Sequence, residues 1–459
     1  MRKLISSFIV FLLSLPIIGP NKSSTPVFVE TSGEALVTET SAVRNQTLDI
    51  SSEPTSSFYN LELNQNIGGE LSYQNTSCFY KFTASNDGLT RLKLYHNYTY
   101  NRGVTCDVYK KMGDYSYYLH LFSYESSTDS TSSDFPEVPY FAGETFLYRI
   151  KDKDGPSIRF SVLGFFEEIS NTNVLSFDYI NGYFKSFSFN LNEQGNVAKT
   201  STTIPESAYL ERRSIISNVY DEPYRNIAKL NTMFPCYDIE NNIAFNYGPS
   251  IGSAYLLKNN IIGTAAHCII SGFYSGSQNN NTINSEIYFG KWISRPTISL
   301  GKYNNISVHT EILPTKAFLS KEYYFQNINN YQNFDWAFLT FDEQINESGA
   351  FEIYIDNGST SSLELFKTST ANGYPGSGIC GGNVQYEADV LQLSRESIYI
   401  LQYFANVEGG QSGGPLYFKM QNKYYVIGPI TGKIDPINYS VVYRIEHLNL
   451  YNYIISGGV

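Results

Sequence analysis

The amino-acid sequence predicts a mainly β protein. Aromatic residues make up 15% of the chain, and aromatic and β-branched residues favour strands. Long stretches rich in Ala, Glu, Lys and Leu, which would indicate helices, are absent. Short runs that alternate apolar and polar residues recur between turn residues, as in half-buried strands. Only the segment after about Tyr443 has the pattern of a closing helix.

The length and charge of the chain limit its domain count and its partners. With 459 residues it can form two or three domains that each bury a core. Its 32 basic and 43 acidic residues give a formal net charge of −11, which is dispersed along the sequence. Because nucleic acids and anionic membrane surfaces bind basic patches, this charge argues against both as partners.

Residues 1–19 have the features of a secretory signal peptide. Arg2 and Lys3 precede an apolar run from Leu4 to Ile18, and a Pro-Gly exit follows. This run is short for a bilayer-spanning helix and contains several serines and a proline. We therefore predict a secreted protein without stable membrane insertion. No clear cleavage motif precedes Pro20.

Residues 20–57 are rich in Ser, Thr, Glu and Pro and predict a flexible leader, whereas residues 58–166 predict a small antiparallel β-sandwich. The second segment resembles the bacterial pre-peptidase C-terminal domain, although an unrelated β-sandwich propeptide is an open alternative. The resemblance is carried by Phe79 to Phe82, Gly88-Leu89, Ala142-Gly143-Glu144 and Phe146-Leu147-Tyr148.

Residues 167–213 are Asn- and Ser-rich and are interpreted as a linker or propeptide. They end in Arg212-Arg213, which precedes Ser214. Proteolysis concentrates in exposed polar connections, so cleavage after Arg213 is one interpretation and a solvated charge pair is the other. We expect a propeptide to interact with residues 214–459, which form a second β-rich block.

Within this block, His267 and Asp335 are candidate catalytic residues. His267 ends the apolar run IIGTAA, where small residues leave space around the ring. Asp335 precedes the apolar run WAFL, which should bury its carboxylate. A buried carboxylate requires a partner, and an imidazole N–H would supply one and fix the tautomer of the ring. A structural histidine and a turn-capping aspartate are the alternatives.

The third candidate is Ser412, in the stretch GGQSGGPLY from Gly409 to Tyr417. A serine hydroxyl becomes a nucleophile only when a base takes its proton, and the attacked carbonyl needs donors for its oxyanion. The backbone N–H groups of Gly410 and Ser412 would form this oxyanion hole. Glycine is costly to order, so the surrounding glycines indicate a backbone that approaches other groups closely. A tight turn between strands is the alternative.

Taken in order, His267, Asp335 and Ser412 match the triad of chymotrypsin-like serine proteases and not that of subtilisins or α/β-hydrolases. Their contexts TAAHC, DWAFL and GGQSGGP are similar to those of that family. Within it, the block most resembles the secreted bacterial glutamyl endopeptidases. The shared stretches are Ser214-Ile215-Ile216, Pro223-Tyr224-Arg225, Asn333-Phe334-Asp335, Gly373-Tyr374-Pro375-Gly376, Leu401-Gln402-Tyr403 and Gly409 to Gly413.

The resemblance implies a chymotrypsin-like fold of two six-stranded β-barrels, with the site in the cleft between them. The complete fold prediction is therefore all-β, with a small sandwich before a double β-barrel. The substrate-binding positions that the resemblance implies are Asn406, Val407, Ile430 and Gly432. The strand from Tyr425 to Gly432 lacks the histidine of glutamate-specific members, so glutamate specificity is not expected. Asn406 stands where a carboxylate would select Arg or Lys, so specificity for Arg or Lys is not expected either.

Five cysteines occur, and in an exported chain disulfides are the usual outcome. Cys78 and Cys106 lie in one predicted domain and are expected to pair. The resemblance implies a bridge from Cys268 to the preceding strand, but Gly252 or Ser253 stands there. Cys268 therefore either pairs elsewhere, with Cys236 or Cys380 as its partner, or stays free. No CxxC or HxxxH spacing is present, and neither a metal nor an organic cofactor is expected.

These residues predict a secreted serine endopeptidase that is made as a precursor and acts on protein or peptide substrates through an acyl-enzyme. A secreted surface-binding protein with an inactive protease-like domain is the alternative. Neither the cleavage specificity nor the role of the sandwich follows from the sequence.

Overall fold

The structure is a computed structural model of the chain. It describes residues 58–71, 77–96, 104–111, 118–126, 132–152, 160–170, 172–189, 213–238, 243–270, 274–276, 287–289, 293–309, 311–326, 331–343, 345, 348–376, 381–434 and 437–458. The predicted signal peptide and leader lie outside the described residues.

The N-terminal part is a β-sandwich of ten strands. They are β1 (Tyr59–Asn60), β2 (Asn66–Leu71), β3 (Ser77–Thr83), β4 (Gly88–His96), β5 (Val104–Lys111), β6 (Tyr118–Glu125), β7 (Ser132–Asp134), β8 (Val138–Tyr140), β9 (Thr145–Asp152) and β10 (Phe160–Glu168). One sheet has the order β1-β3-β9-β5-β6; the other has the order β2-β10-β4-β7, with β8 also paired to β4. Strand β3 shows the predicted alternation, because Cys78, Tyr80 and Phe82 are buried and the residues between them are not.

The predicted disulfide between Cys78 and Cys106 is wrong. Both cysteines are buried and neither is disulfide-bonded. They lie opposite Ile150 on either side of β9, Cys78 on β3 and Cys106 on β5. Two strand spacings of about 4.8 Å separate their backbones by roughly 10 Å, which is beyond the reach of a disulfide.

A β-hairpin follows the sandwich, formed by β11 (Val174–Asp178) and β12 (Tyr183–Phe187). The sequence predicts that these residues belong to the linker or propeptide at 167–213, before the second block. In the structure, however, β11 pairs with a strand of that block, so the hairpin is the first part of its sheet. The register places Leu175 opposite Leu319 and Phe177 opposite Ala317.

The second block contains nineteen further strands, β13 to β31. They are β13 (Arg213–Ile215), β14 (Ile227–Asp238), β15 (Ile243–Leu257), β16 (Ile261–Thr264), β17 (Tyr274–Gly276), β18 (Ile287–Phe289), β19 (Thr297–Leu300), β20 (Lys302–Tyr303), β21 (Ile306–Ser307), β22 (Lys316–Ser320), β23 (Ala337–Thr340), β24 (Glu352–Ile353), β25 (Thr370–Gly373), β26 (Tyr386–Asp389), β27 (Gln392–Arg395), β28 (Ile400–Phe404), β29 (Pro415–Met420), β30 (Lys423–Ile434) and β31 (Ile437–Val441).

Two large sheets organise these strands. The first has the order β12-β11-β22-β23-β16-β15-β14-β18-β17, with β19 on β14; the second has the order β13-β26-β25-β29-β30-β31-β28-β27, with β24 on β30. The predicted all-β class is confirmed. The sheets have ten and nine strands rather than six, partly because the β11–β12 hairpin joins the first and β13 and β24 join the second.

Helices are short in the described part of the chain. They span Lys321–Phe325, Thr360–Phe366 and Ile445–Ile455, and 3₁₀ turns occur at Tyr224–Asn226, Ala266–Cys268 and Tyr331–Phe334. The helix Ile445–Ile455 is the closing helix that the sequence predicts. None of the described helices is long and apolar enough to cross a membrane.

Candidate active site

His267 and Asp335 are brought together by the pairing of two neighbouring strands. Strand β16 ends at Thr264, and its antiparallel partner β23 begins at Ala337, directly opposite. His267 follows the end of β16 on the 3₁₀ turn Ala266–Cys268, and Asp335 immediately precedes the start of β23. Because antiparallel partners have opposite directions, residues after one strand meet residues before the other.

Two hydrogen bonds join this pair. The backbone N–H of His267 donates to Asp335 Oδ1 at 2.9 Å, and the ring Nδ1 lies 2.7 Å from Asp335 Oδ2. The Asp335 side chain is 6% exposed and that of His267 is 32% exposed. The buried carboxylate therefore has the imidazole partner that the sequence predicts, and the Nδ1–H tautomer leaves Nε2 as a proton acceptor.

Ser412 lies in the loop between β28 and β29, and it contacts β15 and the 3₁₀ turn that carries His267. Its carbonyl oxygen accepts a hydrogen bond from the Ser253 N–H at 2.7 Å and from the Cys268 thiol at 3.3 Å. Ser412 is therefore held beside the residue that follows His267. In the described part of the chain, no hydrogen bond joins the Ser412 hydroxyl to the His267 ring. Such contacts are often long before a substrate binds.

The two candidate oxyanion donors differ from three neighbouring amides of the loop, although the Gly409 N–H likewise has no backbone acceptor among the described residues. The N–H groups of Gln411, Gly413 and Gly414 donate to Glu408 O, Ile430 O and Gln411 O, respectively. Among the described residues, no backbone carbonyl accepts from the N–H of Gly410 or Ser412. These two amides are thus available to a ligand.

The glycines of the loop allow the close approach that the sequence analysis expects. Gly410 has φ = +96°, and a Cβ there would lie 2.3 Å from Gly376 N. Gly413 has φ = +82°, and a Cβ there would lie 2.2 Å from Ser253 O. Both conformations disfavour L side chains. Gly409 differs, since a Cβ there would meet nothing within 4 Å.

Ser253 on β15 holds both residues that carry the free amides. Its hydroxyl donates to Gly410 O at 2.8 Å and accepts from Tyr374 N at 2.8 Å, while its N–H donates to Ser412 O. Ser253 is completely buried. Through its hydroxyl and its backbone N–H, one residue of the first sheet therefore binds the carbonyl oxygens of the two residues whose own N–H groups would face an oxyanion. Only the folded chain reveals this role, because Ser253 is distant in sequence.

The side chains of Gln411 and Arg213 both bond Glu408 and stabilise the start of the loop that contains Ser412. The buried Gln411 side chain accepts from the Glu408 N–H at 2.9 Å. Glu408 forms an ion pair with Arg213, whose guanidinium lies 5.1 Å from the Tyr386 ring. Arg213 is half-buried in β13 and paired to β26, so it is not in an exposed connection. Cleavage after Arg213 would require this strand to separate from its partner.

The Asp335 carboxylate controls the ionisation of His267. Burial lowers the pKa of His267, but the charge and hydrogen bond of Asp335, with a contribution from Cys268, outweigh it, and the pKa is raised well above 6.5. The His267 ring therefore keeps its second proton to a higher pH than an ordinary histidine, and its Nε2 can accept a proton only above that pH.

The four residues predicted to bind substrate occupy two environments. Val407 and Ile430 are 3% and 1% exposed and belong to the hydrophobic core of the second sheet. Asn406 and Gly432 are half-buried. The Ile430 backbone is hydrogen-bonded to Gly413 and Gly414. A substrate-binding role for these four residues stays a prediction.

His447 has a structural environment. It is buried at the start of the last helix, where Nδ1 accepts from the Arg444 N–H at 3.0 Å and the ring contacts Trp336. Burial, reinforced by the positive charge of Arg444, lowers its pKa to about 3, so this ring is neutral.

Of the alternatives for Cys268, the structure has the free thiol and no disulfide. Cys236 pairs with Phe245 on β15, whereas Cys268 lies beside Gly252 on the same strand, roughly 20 Å farther along. Cys380 lies outside the described residues. The Cys268 thiol instead donates to Ser412 O.

A disulfide should form when Gly252 is replaced by cysteine. A Cβ at Gly252 would lie 3.0 Å from Cys268 Sγ and 3.3 Å from Cys268 Cβ, close to disulfide geometry. Closing a loop of this length contributes about 3 kcal/mol to the free energy of unfolding. We expect Gly252→Cys to lose one pair of titratable thiols and to melt several degrees higher without reductant than with it. Gly252→Ser is the control; a Gly252→Cys protein that keeps both thiols after oxidation would contradict the prediction.

One curated relative of the chain is a peptidase. No protein-family model matches the chain. A glutamyl endopeptidase of Bacillus licheniformis is 24% identical over 239 residues, which cover 52% of this chain and 62% of that protein. The chain therefore spans less than two thirds of the length of this curated relative.

Two solved structures are similar to different parts of the chain. The thermostable serine protease AL20 from an extremophilic microorganism has a TM-score of 0.37 and 15% identity, covering 50% of this chain and 97% of its own. The pre-peptidase C-terminal domain of a collagenase from Bacillus anthracis has a TM-score of 0.19 and 14% identity, covering 25% of this chain and all of its own.

Proposed function

We propose that the protein is a serine endopeptidase. The observation that carries this proposal is the loop with the free Gly410 and Ser412 amides, bonded at Ser412 O to Cys268, which directly follows a histidine whose Nδ1 is bonded to a buried aspartate. Nucleophile, base, orienting carboxylate and oxyanion donors are the groups required for acyl transfer. The similarity to a glutamyl endopeptidase supports the same class of reaction.

In the proposed mechanism, Ser412 Oγ attacks the peptide carbonyl while His267 Nε2 takes the hydroxyl proton. Asp335 holds the ring through Nδ1 and stabilises its protonated form. The carbonyl oxygen becomes an oxyanion that accepts from the Gly410 and Ser412 N–H groups. His267 then gives its proton to the leaving amine, and water releases the acyl group from Ser412 by the reverse sequence.

An organophosphonate probe tests this function. It phosphonylates a serine only when a base activates that serine, so we expect labelling of the wild-type protein at Ser412 and none in Ser412→Ala. Ser217, an exposed serine far from His267 in sequence, is the matched control, and Ser217→Ala should label like the wild type. An unlabelled wild-type chain, in both intact and processed forms, would refute the enzyme and favour a surface-binding protein with an inactive protease-like domain.

The pH dependence should follow the raised pKa of His267. Because His267 must lose its proton to act as a base, kcat/KM should rise with pH along a limb centred above 6.5. The contribution of the His267–Asp335 ion pair to the free energy of unfolding decreases as pH rises, which is the opposite trend. It is fully present below the unfolded pKa of about 6.5 and is lost as pH rises through the higher folded value. Initial rates on a peptide substrate across pH check the prediction, and a limb at or below pH 6.5 would contradict it.

Secretion, precursor processing and the cleaved sequence are further parts of the proposal. Residues 1–19 would direct export, and a processed form starting at Ser214 would appear as the N-terminal sequence Ser-Ile-Ile. Profiling with a peptide library would define the specificity, for which Asn406 suggests an uncharged pocket.

A further inference from the structure

The β11–β12 hairpin is a structural part of the first large sheet, although it precedes the predicted processing point in sequence. All five residues of β11 pair with β22, from Val174 opposite Ser320 to Asp178 opposite Lys316. At the start of the hairpin turn, the Tyr179 hydroxyl donates to Ser294 O at 3.0 Å. Backbone pairing therefore connects this hairpin directly to the block that carries the candidate site.

The side chains of the hairpin lie in the core of that block. Val174, Leu175 and Phe177 are buried, and they belong to the same hydrophobic cluster as Phe318 and Leu319 of β22. Their removal would expose this apolar surface and leave β22 as an unpaired edge strand, which promotes aggregation.

The sandwich is attached to the same surface. Its Phe141 ring lies 5.9 Å from the Tyr324 ring and 5.3 Å from the Phe325 ring, both in the helix that follows β22. The Glu137 N–H donates to Phe184 O of the hairpin at 3.3 Å. Sandwich, hairpin and helix thus form one continuous contact.

The end of the hairpin segment is anchored as well. Asn173 bonds both backbone groups of Phe189, accepting from its N–H at 2.7 Å and donating to its carbonyl oxygen. The Phe187 and Phe189 rings lie 6.0 Å and 5.4 Å from the Tyr453 ring on the last helix. The contacts to the second block therefore extend to the last described residue before the connection.

We propose that residues 58–189 are a permanent accessory domain that stays bound after the connection at 190–212 is cut, so that the processed protein is a non-covalent assembly of two chains. The β11–β12 hairpin is the docking element. Every contact described above lies outside residues 190–212, so a cut there breaks none of them. The contacts are apolar packing and hydrogen bonds between uncharged groups, which salt screens little.

A site-specific cut tests this proposal without relying on catalysis. A recognition sequence for a specific protease is inserted after Gly195 in a Ser412→Ala chain, which cannot digest itself whatever its activity. After cutting, a denaturing gel should show two fragments, whereas size-exclusion chromatography should show one peak at the mass of the uncut chain, in 0.1 M and in 1 M NaCl. Separate peaks for the two fragments would overturn the proposal.

Two variants of the cut chain test the docking element. Leu175→Asp buries a charge opposite Leu319 and should cause the fragments to separate after cutting, whereas Ile180→Asp, 65% exposed at the turn of the same hairpin, should leave them together. Fragments of cut Leu175→Asp that still co-elute would overturn the role of the hairpin.

Hydrogen exchange provides a second measurement if Leu175→Asp does not fold. In the cut Ser412→Ala chain with Leu175 unchanged, the backbone amides of residues 174–178 should keep the protection from hydrogen exchange that they have in the uncut chain. Loss of that protection on cutting would overturn the proposal.

Discussion

Replacing Asp335 with asparagine should reduce kcat about 10⁴-fold while the protein stays folded. In the structure, Asp335 accepts from two donors of His267, the backbone N–H and the ring Nδ1. A backbone N–H can only donate, so the amide oxygen of an asparagine must face it, and the amide NH₂ must then face Nδ1. This arrangement makes Nδ1 an acceptor and moves the ring proton to Nε2. The base then cannot accept the proton of Ser412.

The measurement is kcat on a peptide substrate, together with the melting temperature to verify the fold. Asp342→Asn provides a matched control, because Asp342 is exposed just after the strand that Asp335 precedes, and it should leave kcat unchanged. An Asp335→Asn protein that retains kcat within about tenfold would show that Asp335 does not set the tautomer of His267.

Replacing Gly410 with alanine should lower kcat by about 10²–10³-fold with a smaller effect on KM. The methyl group would be placed 2.3 Å from Gly376 N and 2.6 Å from Tyr374 O, at a φ of +96° that alanine rarely adopts. To relieve this clash the loop must move and rotate the Gly410 N–H away from the oxyanion. Loss of one such donor costs about 3 kcal/mol in the transition state.

Gly409→Ala is the control for this substitution. A Cβ at Gly409 would have no atom within 4 Å, so alanine there changes the loop sequence without a clash. We expect near-wild-type kcat for Gly409→Ala. Equal kcat values for the two alanine variants would contradict the assignment of Gly410 to the oxyanion hole.

The candidate site was predictable where its chemistry depends on local sequence. Asp335 precedes a run that had to be buried, and a buried carboxylate requires a donor. The glycines on both sides of Ser412 indicated close backbone contacts, and the structure has such contacts at Gly410 and Gly413. The alternation of buried and exposed residues in β3 was likewise predictable from the sequence, because the side chains of a strand point alternately to the core and to solvent.

The Cys78–Cys106 prediction failed, and the state of Cys268 stayed open in the sequence, because cysteine spacing contains no distance information. Cys78 and Cys106 are on strands that flank β9, one strand too far apart to bond. Cys268 lies beside a glycine instead of a second cysteine. In each case the register of the sheets, which depends on pairings between distant segments, determined the outcome.

The sequence by itself determined the β-rich class, the closing helix and the order of His267, Asp335 and Ser412, because these depend on local periodicity and on residue chemistry. Only the tertiary structure decided that Ser253 holds the Gly410 and Ser412 peptides, that Arg213 is paired with Glu408, and that the β11–β12 hairpin belongs to the first sheet. These features join residues that are far apart in the chain. Their partners are selected by sheet register and by the burial of apolar surface, which act on the whole fold and leave no local pattern.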